Sequence, residues 1–375
     1  MKVAIVAFRF DQRGGSERRT YYLTKGLVER GHEVEVFAAS IEDLDLDVKA
    51  NRVPFFNGPS FIKVKSFSEN VERALAGRGD FDVVHNQIRP FTDGIVTIGG
   101  GCHAEYLEHK GGRIGNFFNP LNRVVLKMER ARYREGGSRG IIAISEFVKR
   151  GILRHYPFPP EKIHIAYNGV DHKRFNPTVA AYRDEVRSRH GLGDEPVLLF
   201  LGSGFRRKGL DTLIRALPVI KGMDREIKRL KVLVAGRDDP KPHMRLAGRL
   251  GVLDSIVFAG ATREPEKYYG AADIFALPTT YEPFGNAFLE AMSCGLPVIT
   301  TSRAGAAEVV SDGENGFVLN DPSNHTALAA IIAYLSCEKA RKEIGRNARK
   351  TAEGLTWENT LDRTLDAYGL AEGTR

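Results

Sequence analysis

The chain alternates short apolar runs with amphipathic segments, and this alternation starts again near residue 196. Runs rich in β-branched residues predict buried strands, and apolar residues at helical spacing predict helices between them. The predicted strands are Lys2–Phe8, Glu33–Ala38, Asp82–His85, Ile95–Ile98 and Gly140–Ile144 in the first half, and Pro196–Leu201, Lys231–Ala235, Ile256–Ala259, Ile274–Leu277 and Pro297–Thr301 in the second. Because strands that alternate with helices form parallel sheets covered on both faces, we predict an α/β protein with two doubly wound sheets.

A length of 375 residues also favours two domains, since a single core rarely extends that far. We place an N-terminal domain at residues 1–168 and a C-terminal domain at residues 169–357. The segment Asn168–Asp194 contains Pro177 and several turn residues, so it is predicted to be a linker. The tail from Asp321 onward is predicted to be mainly helical.

Cysteine usage and hydropathy indicate a protein of a reducing compartment. Cys102, Cys294 and Cys337 are too far apart for a metal-binding spacing or a disulfide framework. No apolar run reaches the roughly 18–20 residues that span a bilayer. The charged Arg9 and Asp11 follow the first apolar run at once, which favours an opening strand over a signal peptide. We therefore expect a cytoplasmic protein.

The net charge of +8, from 55 basic and 47 acidic residues, is compatible with an ordinary basic surface and with an anionic partner. Basic residues cluster in the segment 117–134 at Arg123, Lys127, Arg130, Arg132 and Arg134. They are interleaved with Phe117, Phe118, Leu121, Val124, Val125, Leu126 and Met128. A basic amphipathic helix is typical of a membrane-surface element, but a surface helix with its apolar stripe packed on the domain has the same pattern. Nucleic acid is not expected, since no recognised binding module is present.

The loop after the first predicted strand contains Gly14 and Gly15 and leads into a helix predicted at Ser16–Arg30, which Gly31 closes. Two glycines allow the backbone to approach a ligand, and the amides at a helix N-terminus favour a phosphate or another anion. A plain strand-to-helix turn with Ser16 as the N-cap explains the same residues. The glycine pair by itself leaves both interpretations open.

A second glycine-containing loop, Gly202–Gly209, joins a predicted strand to a predicted helix and carries Arg206, Arg207 and Lys208. A diphosphate is bound by backbone amides and fixed positive charge, and arginine can hold it through two parallel hydrogen bonds. The loop lacks the Gly-Lys-Ser/Thr of a P-loop, and position 207 is arginine where the dinucleotide-binding fingerprint requires glycine. The loop therefore favours a diphosphate site over a solvated turn, and it argues against a nicotinamide enzyme.

Two glutamates flank the start of a helix predicted at Asn286–Ser293. Glu282 precedes this helix and Glu290 lies in it. A carboxylate accepts two hydrogen bonds, so it suits the vicinal hydroxyls of ribose or a hexose, and the amides of Gly285 and Asn286 suit phosphate oxygens. Glu290 is surrounded by apolar residues, and burial of an unpaired charge is costly, so a bound ligand would explain it. The plainer interpretation is a helix-terminal charge at Glu282 and an incidental Glu290.

The segment Tyr281–Thr301, in which seven residues separate Glu282 from Glu290, is similar to the E-x7-E motif of the family 4 retaining glycosyltransferases, which have the GT-B fold. The other matching segments are the Gly-Gly loop Gly14–Arg18, the interdomain segment Asn168–Asp171 and the diphosphate-binding cations Arg207 and Lys208. The resemblance extends over essentially the whole chain.

This resemblance implies two Rossmann-like, doubly wound domains that face a central cleft, with a final helix at about residues 358–375 packed back on the N-terminal domain. It implies transfer of a hexose from a nucleotide sugar with retention of anomeric configuration, and no bound metal or other cofactor. An Asp-x-Asp pattern at Asp43–Asp47, of the kind that binds metal in other transferases, lies in a loop outside these motifs.

Within the family, the loop Gly202–Gly209 and the segment Cys102–Glu105 look most like the lipopolysaccharide core glucosyltransferases, which use UDP-glucose. That subgroup implies a UDP-glucose donor, a glycan or glycolipid acceptor such as the lipopolysaccharide core, and a peripheral location at the inner face of the cytoplasmic membrane through segment 117–134. It carries tyrosine where this chain has His103. Other members of the larger family place a histidine here, near the sugar's primary hydroxyl, so a catalytic and a structural role for His103 both stay open.

The resemblance assigns three sets of residues. The catalytic set is Glu282, Arg207, Lys208 and His103. The donor-binding set is Gly15, Gly202, Ser203, Arg207, Lys208, Arg263, Phe284, Gly285, Asn286 and Glu290. The acceptor-side set is Gly14, Glu17 and Arg18, and no residue is assigned to a metal. Recognition of the base is expected from the loops around Arg237 and Arg263.

Other functions fit part of this pattern. A non-catalytic nucleotide-sugar binder can share the fold, because fold alone does not fix function. The complete set of Glu282, Glu290, Arg207 and Lys208 argues against such a decayed site. A family 4 transferase with another donor or acceptor, or a nucleotide-sugar epimerase, would keep the same residues.

Overall fold

The chain forms two units, each built around its own parallel β-sheet. Unit 1 comprises Met1–Gly169 and Trp357–Arg375, and unit 2 comprises Val170–Thr356. The computed structural model describes residues 1–42, 45–88, 94–111, 113–223 and 227–372, without the side chains of residues 113, 114, 117 and 370–372. Asp43 of the Asp-x-Asp pattern and the side chain of Phe117 therefore lie outside the described residues.

The strands of unit 1 are β1 (Lys2–Phe10), β2 (Glu33–Ile41), β3 (Lys49–Arg52), β4 (Val83–Asn86), β5 (Ile95–Ile98), β6 (Gly140–Ala143) and β7 (Ile163–Ile165). They form one parallel sheet in the order β3-β2-β1-β4-β5-β6-β7. Neighbouring residues of β1 join different cores: Val3 and Ile5 pack in one buried cluster, and Ala4 and Val6 pack in another. Because both faces of the sheet are covered, its strands appear in the sequence as continuous apolar runs.

The helices that follow these strands are α1 (Gly15–Glu29), α2 (Ser60–Leu75), α3 (His103–Lys110), α4 (Arg113–Phe118), α5 (Pro120–Arg132) and α6 (Glu146–His155). α1 begins one residue earlier than predicted, at Gly15. Gly31 has a φ of +78°, the conformation expected of a glycine that ends a helix.

Unit 2 has the strands β8 (Val197–Leu201), β9 (Lys231–Ala235), β10 (Ile256–Gly260), β11 (Ile274–Ala276), β12 (Val298–Thr301) and β13 (Gly316–Leu319). They form a parallel sheet in the order β10-β9-β8-β11-β12-β13. Its helices are α7 (Arg183–Arg189), α8 (Leu210–Lys221), α9 (Lys241–Arg249), α10 (Pro265–Ala271), α11 (Asn286–Ser293), α12 (His325–Tyr334) and α13 (Glu338–Glu353). The last helix, α14 (Trp357–Glu372), belongs to unit 1. The prediction of a mainly helical tail is confirmed.

The prediction of a linker at residues 168–194 is wrong, because residues 170–194 are an ordered part of unit 2. They contain a 3-10 helix at Pro177–Tyr182, for which Asn176 is the N-cap, and then α7. Arg187 of α7 is 5% exposed, and its guanidinium lies 2.8 Å from the Asp273 carboxylate. Pro177 begins a short helix here and does not mark a flexible segment.

In both sheets the strand order reverses beside the first strand, between β1 and β4 and between β8 and β11. At such a switch point the two neighbouring connections leave in opposite directions and open a crevice at the carboxyl ends of the strands. β8 and β11 pair directly, with Leu198 opposite Ile274 and Leu199 opposite Phe275. The loops after these two strands, which carry the motifs predicted to bind the donor, are therefore neighbours.

Among the helices within the described ranges, none combines the length and the apolar character needed to cross a bilayer.

Candidate active site

The loop Gly202–Gly209, after β8, is fastened to the loop after β11 through its backbone. The carbonyl oxygen of Arg207 accepts a hydrogen bond from the backbone N of Thr280 at 2.8 Å. Gly209 has a φ of +82°, and a Cβ on it would lie 2.0 Å from the carbonyl oxygen of Pro278. Glycine is therefore required at position 209 by the backbone conformation and by the close approach of the two loops.

Asp238, which the sequence analysis did not single out, fixes the middle of the same loop. Its Oδ2 accepts hydrogen bonds from the backbone N of Gly204 at 2.7 Å and of Phe205 at 2.6 Å. These two amides are thus committed to a carboxylate of the protein, so they are not available to a bound ligand. The available signal was the position of Asp238 just after β9, at the carboxyl edge of the sheet.

Arg207, Lys208 and Glu282 form a charged cluster at the switch point of unit 2. Oε2 of Glu282 lies 3.1 Å from Arg207 Nη1 and 3.0 Å from Lys208 Nζ. Arg207 Nη1 also donates to the carbonyl oxygen of Tyr281 at 2.6 Å. Burial acts to raise the pKa of Glu282, but the charges and hydrogen bonds of Lys208 and Arg207 outweigh it and hold this pKa below its ordinary value. Two cations around one ionised carboxylate leave a net positive charge, which suits an anionic ligand.

Gly202 makes room for the ammonium group of this cluster. It has a φ of +131°, and a Cβ at this position would lie 3.0 Å from Lys208 Cε and 3.1 Å from Lys208 Nζ. A larger residue would strain the backbone and displace the Lys208 side chain, which is only 10% exposed.

The backbone of Glu282 is held by the loop after β12. Its N donates to the carbonyl oxygen of Arg303 at 3.0 Å, and its own carbonyl oxygen accepts from the N of Gly305 at 2.9 Å. These hydrogen bonds fix the backbone that carries the Glu282 carboxylate. They come from a segment that no sequence motif links to Glu282.

α11 begins at Asn286, as predicted, after Gly285 with a φ of +98°. Glu290 lies on this helix and is 4% exposed. The hydroxyl of Tyr269, on α10, donates a hydrogen bond to Glu290 Oε2 at 2.9 Å. The burial of Glu290 therefore does not require a ligand, contrary to the argument from sequence, because unit 2 itself supplies a partner.

The remaining residues assigned to donor binding have different surroundings. The side chain of Phe284 is 1% exposed and belongs to the core, so only its backbone can face a ligand. Ser203 is exposed, and its Oγ accepts from the backbone N of Arg237 at 3.3 Å. Arg263 is exposed in the loop after β10 and is not a member of the Arg207–Lys208–Glu282 cluster.

The Gly-Gly loop of unit 1 lies between β1 and α1. Gly14 is the N-cap, with an extended backbone, and its carbonyl oxygen accepts from the N of Arg18 at 3.0 Å. Gly15 is thus the first residue of the helix, and the alternative role of Ser16 as N-cap is wrong. Glu17 folds back over the glycine, since a Cβ on Gly14 would lie 2.2 Å from Glu17 Oε2.

His103 begins α3, and a buried carboxylate holds that end of the helix. Glu129, on α5 and 0% exposed, accepts hydrogen bonds from the backbone N of His103 at 2.7 Å and of Ala104 at 3.2 Å. It also accepts from the hydroxyl of Tyr156 at 2.9 Å. A carboxylate is favourable there because it meets the positive end of the helix dipole. The His103 ring is oriented in turn by α5, with Nε2 3.1 Å from Asn122 Oδ1.

The basic segment 117–134 forms the end of α4, all of α5 and the turn that follows. α5 packs against α2 and α3, and its apolar residues are half-buried or buried. The exposed cations of this segment are Arg123, Lys127, Arg130 and Arg134. Phe118, which precedes α5, is 71% exposed. α5 therefore presents a stripe of positive charge to solvent, and its apolar stripe is used within unit 1.

Comparison with known proteins agrees with this architecture. The family model for glycosyl transferases group 1 matches residues 182–351, and the model for glycosyltransferase family 4 matches residues 13–174. An uncharacterized glycosyltransferase of Methanocaldococcus jannaschii is 29% identical over 99% of this chain and 98% of its own length. The lipopolysaccharide glucosyltransferase WaaG of Escherichia coli is 26% identical over 99% of this chain and 97% of its own.

Solved structures show the same fold. The crystal structure of WaaG, a glycosyltransferase involved in lipopolysaccharide biosynthesis, has a TM-score of 0.80 at 24% identity and covers 99% of this chain and 98% of its own. The crystal structure of Anabaena HepE in complex with UDP-glucose has a TM-score of 0.74 at 19% identity and covers 98% of each chain.

Proposed function

The chain belongs to the GT-B glycosyltransferases of group 1 and family 4, and on that premise we propose that it transfers glucose from UDP-glucose to a glycan or glycolipid acceptor with retention of configuration. The observation that carries this proposal is the contact of Arg207 and Lys208 with Glu282 at the switch point of unit 2. Fixed positive charge at the carboxyl end of a parallel sheet suits a sugar joined to a diphosphate. WaaG is named a glucosyltransferase, and HepE holds UDP-glucose in its crystal structure, which supports the choice of donor.

In the proposed reaction, the bond between C1 of the glucose and the β-phosphate oxygen breaks, and the acceptor hydroxyl oxygen bonds to C1. UDP carries away the electron pair, and the proton of the acceptor hydroxyl passes to the departing phosphate oxygen. Positive charge builds on the sugar ring in an oxocarbenium-like state while negative charge builds on the diphosphate. This reaction uses neither a protein nucleophile nor a metal ion.

Arg207 and Lys208 stabilise the charge on the leaving diphosphate. Preorganised donors of this kind are each worth about 3–4 kcal/mol of transition-state stabilisation. The backbone amides of Gly285 and Asn286, at the N-terminus of α11, add partial positive charge. We also assign the amide of Gly15, the first residue of α1, to donor binding. Glu282 holds the two cations in place through Oε2 and accepts hydrogen bonds from the sugar hydroxyls. Glu290 accepts hydrogen bonds from the ribose hydroxyls.

On the acceptor side, we assign His103 to the sugar's primary hydroxyl and the Gly14–Arg18 loop to the acceptor. The exposed stripe of Arg123, Lys127, Arg130 and Arg134 supports a lipid-anchored acceptor, because such a stripe is attracted to an anionic membrane surface. The proposed acceptor is a lipopolysaccharide core or a similar glycolipid at the inner face of the cytoplasmic membrane.

Turnover of the full chain tests the proposal, with UDP release measured from UDP-glucose with and without a core-oligosaccharide acceptor. Lys208→Ala is expected to lower kcat by roughly 10²–10³-fold, since it removes one fixed donor to the diphosphate. Its thermal midpoint should change far less than its rate, because Arg207 still pairs with Glu282. The matched control is Arg206→Ala, an exposed cation of the same loop, which should keep the wild-type rate within about twofold.

A Lys208→Ala variant that keeps a near-normal rate would refute the assignment of Lys208. Equal turnover of GDP-mannose or UDP-galactose would refute UDP-glucose as the preferred donor. Binding of UDP-glucose without UDP release under any acceptor condition would point to a non-catalytic nucleotide-sugar binder.

A further inference from the structure

α3 and α6 pack side by side in unit 1 and place four potential metal ligands together. Three of them, Glu105, Glu108 and His109, are separated by three and four residues on α3 and therefore share one face of that helix. The fourth, His155, is the last residue of α6. The two helices can approach closely because α6 has Gly151 at the contact, where a Cβ would lie 3.2 Å from Glu105 Cγ.

The donor atoms of these side chains converge. Nε2 of His155 lies 2.8 Å from Glu105 Oε2 and 3.8 Å from Glu108 Oε2. One ligand atom each from Glu105, Glu108 and His155 can be chosen so that all lie within 4.8 Å of one another. Nε2 of His109 lies 3.2 Å from Glu105 Oε1, on the other oxygen of the same carboxylate. Bonds of about 2.0–2.2 Å to a tetrahedral ion place donor atoms about 3.4 Å apart, so small side-chain adjustments suffice.

We propose that Glu105, Glu108 and His155 bind a divalent transition-metal ion, with His109 as the adjacent fourth ligand. Imidazole nitrogens combined with carboxylate oxygens favour zinc, or cobalt as its substitute, over the all-oxygen sites of calcium and magnesium. Two carboxylates and two neutral imidazoles balance the charge of a dication. The degree of burial also suits an ion that enters from solvent, since the side chain of Glu105 is 5% exposed and that of Glu108 is 54% exposed.

Arg154 competes with such an ion for the Glu105 carboxylate. Its Nη1 lies 2.7 Å from Glu105 Oε1, and its side chain is 61% exposed. An arginine that reaches in from solvent can swing away when a metal takes its place, and its charge opposes the metal while it remains. The arrangement therefore predicts opposite effects for two substitutions: loss of Glu108 removes a ligand, and loss of Arg154 removes a competing cation.

Such an ion would be structural. It would join one face of α3 to the end of α6, and α3 is the helix that begins at His103. These ligands belong to unit 1, and none of them is assigned to the donor or to the acceptor.

The test uses the full chain, purified with a chelator and without a polyhistidine tag. Zn²⁺ and Co²⁺ are titrated into it, and binding is measured by the heat released in a calorimeter and by the visible absorption of Co²⁺. We expect saturable 1:1 uptake and a rise in the thermal midpoint. Glu108→Gln, at an exposed position, should fold normally and weaken uptake by about tenfold or more. Arg154→Gln should tighten uptake several-fold, an outcome that a purely structural ion-pair role for Arg154 would not give.

The matched control is His32→Gln. Nδ1 of His32 lies 3.3 Å from the amino group of Met1, which makes this pair the obvious place for adventitious binding. The control should bind Zn²⁺ as the wild type does. The proposal is overturned by the absence of saturable uptake up to millimolar Zn²⁺, by wild-type uptake in Glu108→Gln, or by loss of uptake in His32→Gln.

Discussion

Several polar side chains in unit 2 act by holding another functional group. Asp238 binds the amides of the loop that carries Arg207 and Lys208, and Tyr269 donates to the buried Glu290. A hydrogen bond to a charged group is worth about 1.5–3 kcal/mol, so loss of the Tyr269 hydroxyl should weaken the hold on Glu290. The position of Glu290 therefore depends in part on a hydroxyl of a different helix.

Tyr269→Phe removes this hydroxyl and keeps the aromatic ring. Tyr269 is buried, at 1% exposure. If Glu290 binds the ribose, KM for UDP-glucose should rise about tenfold, which corresponds to roughly 1.4 kcal/mol, while kcat changes less than about twofold. Tyr268→Phe is the matched control, because the Tyr268 hydroxyl lies 3.1 Å from Nε2 of His190, a residue that is not assigned to the donor. Equal KM values for the two variants would show that Tyr269 does not position a donor-binding group.

At the scale of elements, α5 uses two faces for two purposes. Its inward face carries Asn122 and Glu129, which orient His103 and hold the start of α3. Its outward face carries the exposed cations Arg123, Lys127 and Arg130, and Arg134 follows just beyond its end. Because the inward face is already packed, the helix is expected to meet a membrane by charge and through Phe118, without inserting its apolar stripe.

Replacement of Arg123, Lys127, Arg130 and Arg134 by glutamine should weaken sedimentation with anionic vesicles on the order of a hundredfold or more, at roughly 1 kcal/mol per charge. The control is the same replacement at Lys339, Lys342, Arg346 and Lys350, a stripe of exposed cations on α13. Wild-type binding should also fall as salt is raised. Membrane binding through α5 is ruled out if both quadruple variants bind alike, or if wild type shows no preference for anionic over neutral lipid.

At the scale of the whole molecule, the chain leaves unit 1 after Gly169 and returns to it at Trp357. The returning helix α14 is fastened to the N-terminal part of unit 1 by polar and aromatic contacts. The hydroxyl of Tyr368 lies 2.6 Å from Nδ1 of His85, on β4, and the Trp357 ring stacks on Tyr22 of α1 with centroids 4.9 Å apart. The stability of unit 1 therefore depends on both ends of the sequence.

His85 should make that stability depend on pH. Burial, and secondarily the charge of Arg19, lowers the pKa of His85 to about 3. In the unfolded chain a histidine titrates near pH 6.5, so below that pH the unfolded state binds a proton that the folded state does not. Stability is fully present above about pH 6.5 and falls as the pH is lowered towards 3. The loss between pH 7 and pH 5 is on the order of 2 kcal/mol for this residue.

Urea unfolding at pH 7 and pH 5 measures this effect, and Trp357, the single tryptophan, reports on unit 1 through its fluorescence. In His85→Gln the difference in unfolding free energy between the two pH values should shrink by about that amount. The comparison is between pH values within each protein, so a general destabilisation of the variant does not affect it. A pH dependence identical in both proteins would mean that His85 is accessible to protons in the folded state.

Local patterns were sufficient for the elements that lie in the middle of each sheet. β1, β8 and β12 are buried on both faces, so their apolar runs are long and clear, and α11 was predicted with its observed bounds. β3, β7 and β13 were not predicted because they are short edge strands, in which few residues face a core. The 170–194 segment was misread because prolines and turn residues also begin short helices.

The amino-acid sequence is sufficient to identify the groups assigned to a diphosphate and a sugar. They are the glycine loop, Arg207, Lys208, Glu282 and Glu290, which stand in a recognisable order. The partners of these groups follow from the fold. Asp238 lies 34 residues from Gly204 along the chain, and Tyr269 lies 21 residues from Glu290. Such contacts join different strands and helices, and residue spacing within one element carries no information about them. Local propensity fixes the elements, whereas the order of strands in a sheet fixes which loops meet.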